Sequence, residues 1–92
     1  MANQENFKGA FVPTEKIDEL MESAEYQMFE RVFGKLTIVV AKLTNGFTLV
    51  GSSGCVNPDN YSSEIGVRIC KEQIREELWK LEGYNLQCSI SQ

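Results

Sequence analysis

Two adjacent residues in the middle of the chain, Asn45-Gly46, restrict its fold more than any others. Both accept the positive φ angles of a type I′ turn. They follow Lys35-Leu-Thr-Ile-Val-Val-Ala-Lys-Leu43, rich in β-branched residues, and precede Phe47-Thr-Leu-Val50, so a β-hairpin is expected. A two-residue turn would set Thr44 opposite Phe47, Leu43 opposite Thr48, Lys42 opposite Leu49, Ala41 opposite Val50 and Val40 opposite Gly51. Leu43, Ala41, Val39 and Val50 then share one face, while Ile38, Val40, Leu49 and Phe47 share the other. A ribbon apolar on both sides needs cover on both, from two helices or from another subunit.

Helices are expected on either side of the hairpin. Pro13-Thr14 opens the first, with the Thr14 hydroxyl as its cap, and Ile17, Leu20, Met21, Ala24 and Met28 form one apolar stripe on an acidic helix. From Glu25 to Phe33 the periodicity leaves extra helical turns and a short extended segment both open. The second helix starts near Asn60 or Ser62 and runs to about Glu82, with Gly83 as a C′ residue and Tyr84 folding back onto Trp79. The closing YNLQCSI alternates and suggests a short edge strand. At about 100° per residue, Gly66, Val67, Cys70, Ile74, Leu78 and Leu81 make a core face. Ile65, Ile69 and Trp79 fall nearly opposite, which suits either self-association or docking of the N-terminal arm. The fold class is therefore α+β: helix, β-hairpin, long helix, assembled as a homo-oligomer. Residues 1–12 are expected to be a flexible arm, with Phe7 and Phe11 available to dock on a neighbour, and residues 13–92 a single domain.

Size and charge limit the function. Ninety-two residues make one small domain whose own core is marginal, which is the motive for self-association. A net charge of −4 argues against a nucleic-acid polymer as partner. Residues 34–61, with two basic groups and one acidic, are nonetheless mildly positive. The chain has no histidine, which removes the commonest general base and zinc ligand. Cys55, Cys70 and Cys88 contain no C-x-x-C pair and read as small buried hydrophobes in a reducing cytosol. No metal or other cofactor is expected, and no segment is long and apolar enough to span a membrane.

Three groups of residues invite a chemical reading. Gly51-Ser52-Ser53-Gly54 supplies backbone amides and two hydroxyls, as a phosphate-accepting concavity does, although a glycine bend leaving the sheet uses the same letters. Arg68, Lys35, Lys42 and Arg31 are candidate phosphate partners or plain solvated charges. Tyr26, Phe33 and Tyr61 can stack on a base or pack in the core. Glu72, Glu76 and Glu77 read as a solvated helix face, because Lys71, Arg75 and Lys80 lie within salt-bridge spacing. No catalytic set emerges.

The turn Leu43-x-Asn45-Gly46-Phe47, the loop Gly51-x-Ser53-x-Cys55-Val56, the step Asn60-Tyr61, the helix opening Glu64-Ile65-Gly66 and the closing Trp79-x-Leu81-Glu82-Gly83-Tyr84 together resemble a family of small bacteriophage proteins. That family is typified by early gene products of N-four-type and Sf-six-type phages. The resemblance covers residues 25–86 and departs at Cys70 and Ile74, where the family favours alanine. It implies a phage accessory protein working in the cytoplasm of the infected bacterial host. Taken with the residues above, the expected function is anti-defence: sequestration, without cleavage, of a phosphate-bearing signal such as a cyclic dinucleotide. Gly51, Ser52, Ser53, Tyr61, Arg68, Lys35 and Tyr26 would hold the ligand, and Ile65, Ile69 and Trp79 would form the oligomer interface. The alternative is an inhibitor that binds and blocks a host protein.

Overall fold

The computed structural model describes residues 11–91. Most of the expected N-terminal arm, including Phe7, therefore lies outside the described residues. Val12, placed in that arm by the sequence reading, is instead buried in the core. Helix α1 (Thr14–Ser23) follows, with Ile17 fully buried and Leu20 and Met21 packed against the core. Thr14 is the first helical residue and Pro13 holds the cap position, so the expected hydroxyl cap does not form. Proline suits this helix start because its missing N–H needs no partner.

The segment after α1 is a strand. Three antiparallel strands, β1 (Glu25–Val32), β2 (Leu36–Lys42) and β3 (Thr48–Gly54), form a sheet in the order β1-β2-β3. The hairpin at Asn45-Gly46 exists, but its register differs by one residue from that of a type I′ turn. Lys42 faces Thr48, Ala41 faces Leu49, Val40 faces Val50 and Val39 faces Gly51. Of the two turn residues only Gly46 has a positive φ, 93°, while the Asn45 side chain accepts the Phe47 amide at 3.0 Å. The Gly46 amide bonds to the Leu43 carbonyl at 2.9 Å and the Leu43 amide to the Phe47 carbonyl at 2.8 Å. This is a three-residue loop ending in a left-handed glycine. A slip of one residue exchanges faces, so Leu49 is buried with Val39 and Ala41 whereas Val50 faces outward.

One face of the sheet is covered by helix α2 (Ser63–Ile90). Ser62 caps it, accepting the Ile65 amide at 3.2 Å. Gly66, Cys70, Ile74 and Leu78 point inward as expected, while Leu81 is exposed. The helix passes Gly83 without interruption, and the expected edge strand after it is instead about two further helical turns. At about 1.5 Å per residue α2 is roughly 42 Å long. A seven-residue strand spans only about 23 Å. The end of α2 therefore overhangs the sheet, and α1 packs there, with Arg75 on Asp18 at 2.7 Å and Lys16 on Glu82 at 4.0 Å. The core holds Ile17, Val39, Ala41, Cys70, Ile74 and Leu78. Among the described residues no helix covers the opposite face of the sheet.

Candidate functional site

The end of the sheet beneath the N-terminus of α2 is built by contacts between residues distant in sequence. A 3₁₀ turn at Pro58–Asn60, fixed by the Asn57 side chain accepting the Asp59 amide at 3.0 Å, delivers Tyr61 to the sheet. The Tyr61 hydroxyl accepts the Arg31 amide at 2.9 Å and shares a 2.5 Å hydrogen bond with Thr37 Oγ1. Thr37 is fully buried, and this bond gives its hydroxyl a partner. Gly66 makes room for it, since a Cβ there would lie 2.5 Å from Thr37 Oγ1. The Arg31 guanidinium stands 4.8 Å above the Tyr61 ring as a cation–π contact. Desolvation raises the Tyr61 pKa, but hydrogen bonds from Thr37, the Arg31 amide and Ser63 outweigh it and bring the phenol below its ordinary value, against the pull of Glu30.

What this pin holds is strained. The pairing of β1 with β2 shifts between Phe29 and Val32, and Arg31 and Phe33 take φ angles of 57° and 55°. For residues with a side chain this left-handed region costs about 1–2 kcal/mol each. Gly34, at φ 79°, completes the turn without that cost. The result is a tip with Phe33 91% exposed. The Cys55 amide bonds to the Lys35 carbonyl at 3.0 Å, which tethers the neighbouring Val56, 94% exposed, to the same end. Arg31 and Lys35 flank the tip as exposed cations.

The residues expected to hold a phosphate are differently disposed. Gly51-Ser-Ser-Gly54 is the second half of β3 rather than a loop. Gly51 is buried under α2, where a Cβ would overlap the Cys70 carbonyl, so its role is to let the helix approach the sheet. The Ser52 amide donates to Gln73 Oε1 at 2.9 Å, and Gln73 Nε2 donates to the Ser52 carbonyl at 2.8 Å. Strand alternation sends the Ser52 and Ser53 side chains to opposite faces. Tyr26 pairs with Ala41, four residues and so about 13 Å along β2 from Thr37. Its hydroxyl bonds to the Met21 carbonyl at 2.5 Å and its ring faces Lys71 Nζ at 4.5 Å. Arg68 is exposed on α2, as Lys35 is on the tip. Tyr61, Ser53 and Lys35 lie at the same end of the sheet, whereas Tyr26 lies toward the other end, Gly51 is shut beneath α2 and the Ser52 backbone is already bonded.

Of the expected interface residues, Ile65 is exposed, Ile69 half-buried and Trp79 packed against the core. Cys70 is buried, but Cys55 and Cys88 are only half-buried, and none of the three forms a disulfide. Phe33, expected to stack on a base or pack in the core, does not pack in the core, being 91% exposed. Thr37 and Gln73 went unnoticed in the sequence, which holds no local sign of their partners. Among the described residues no helix is long and apolar enough to cross a membrane.

No curated protein and no solved structure matches the chain. The model of the phage protein (N4 Gp49/phage Sf6 gene 66) family matches residues 12–90, from the buried Val12 to the last turn of α2, and the chain belongs to that family.

Proposed function

We propose that this phage protein acts in the cytoplasm of the infected host as a non-catalytic, anti-defence binder of a host protein, with the Phe33 tip as its principal contact. The observation that carries this reading is a large aromatic held in the left-handed region and left almost wholly in solvent. Strained backbone persists where the surroundings impose it, and it clusters at working sites. Binding energy at protein interfaces concentrates in a few aromatic and arginine anchors. Phe33 and Val56 supply the apolar part, and Arg31 and Lys35 favour a pocket with acidic borders. Sequestration of a nucleotide has less support, because Gly51 is shut beneath α2 and the Ser52 backbone is already bonded.

The test compares wild type with Phe33→Ser, both tagged, expressed in the bacterial host and chemically cross-linked before purification. The expected result is one host protein enriched by wild type and lost with Phe33→Ser, at an unchanged melting temperature. Equal enrichment by both proteins would remove the tip from the reading. A thermal-shift panel of mono-, cyclic di- and cyclic trinucleotides covers the other class: saturation at about 100 times Kd adds roughly 2.7 kcal/mol of stability. A nucleotide that raises the melting temperature so far would return the function to sequestration.

A further inference from the structure

The sheet face turned away from α2 is apolar and carries neither helix. The register aligns Phe29, Ile38 and Ser52 across the three strands, and Gln27, Val40 and Val50 in the next row. Phe29 is 48% and Val50 61% exposed. At the hairpin end the face closes with Glu25 paired to Lys42 at 3.4 Å. An apolar centre with a polar, charge-balanced rim is the anatomy of a protein interface.

From this we infer that the outward sheet face is the contact between two copies of this chain, packed sheet on sheet with the helices outside. Three observations select this occupant. First, both sheet edges are unsuited to pairing: Gln73 occupies the Ser52 N–H and C=O on the free edge of β3, and the shift between Phe29 and Val32 distorts β1. Association of sheets through their faces stays open. Second, the chain carries a net charge of −4, which opposes self-association, yet this face carries one acid and one base bonded to each other. Two copies can therefore meet here without stacking like charges. Third, three strands about 4.8 Å apart and about 23 Å long present roughly 320 Å² in projection. Allowing for side-chain relief, two copies bury on the order of 1,000 Å² in total, the least that a specific interface needs. Residues 1–10 are a poorer cover, since Met1 and Phe7 are their only large apolar side chains. This inference is independent of what the Phe33 tip binds.

Sedimentation velocity at tens of micromolar tests it. Wild type is expected to be a dimer, and Val50→Lys, which puts a charge at the centre of the face, to weaken it about tenfold or more with the circular dichroism spectrum unchanged. Ile65→Lys, on α2, should leave the dimer intact. A monomeric wild type, or a dimer broken by Ile65→Lys and not by Val50→Lys, overturns the inference. A readout on the unmodified chain guards against misfolded variants: isotope-filtered NMR of mixed labelled and unlabelled wild type. Intermolecular contacts from the Val40 and Val50 methyls to the Phe29 ring are expected. Contacts to this face from residues 1–10 of the same chain, or intermolecular contacts confined to α2, would overturn it.

Discussion

The Cys70 thiol lies where α2 crosses β3, fully buried and donating to the Thr37 carbonyl at 3.5 Å. Burial raises its pKa above the ordinary 9.0, and a hydrogen bond from the Val39 amide opposes this without reversing it. The unfolded thiol therefore ionises first. Stability from this group is fully present below pH 9.0 and falls as pH climbs from there through the higher folded value. Melting temperature measured against pH should bend downward near that point for wild type, and Cys70→Ala should remove part of the bend. Equal slopes for both proteins would mean that the thiol is solvated in the native state. Tyr26, also raised by burial, adds loss in the same direction only beyond its own ordinary value of 10.0. The two residues are thus separable along the pH axis.

At the scale of elements, glycines divide into those that a fold needs and those it tolerates. Gly46 has φ 93°, so Gly46→Val should cost about 1 kcal/mol or more in a denaturant titration. Gly83 is helical with nothing near the position of a missing Cβ, so Gly83→Ala should stabilise by about 0.5–1 kcal/mol. The C′ glycine expected from the sequence would give the opposite sign. These two positions also mark how far the elements were legible. The hairpin was readable because Asn45-Gly46 sits between apolar strands, but its register turned on which residue took the positive φ, and that one-residue slip moved Leu49 inward. The core face of α2 was readable from its period. Its end was not, because Leu86 packs against the core and continues the helix past a glycine that locally signals a stop. The site was less readable still. Arg31, Thr37 and Tyr61 are joined across 24 and 30 residues, and a glycine beside serines looks the same whether it admits a phosphate or a helix backbone.

As a whole the described molecule is two layers, helices on one side of a three-stranded sheet, and the surfaces proposed to work are the parts that the second layer leaves open. The Phe33 tip lies at one end, the overhang of α2 at the other, and the bare sheet face along the back. Such a layout lets one surface serve self-association while another meets a partner, which a chain of this size cannot do if a single patch must serve both. The bond between Gln73 and Ser52 has a further consequence during synthesis. All three strands leave the ribosome before the residue that blocks the edge of β3, and 19 positions separate Gly54 from Gln73. Until α2 docks and brings Gln73 to Ser52, that edge of β3 is open to another strand, so conditions that delay docking of the helix favour strand-to-strand association of unfinished chains.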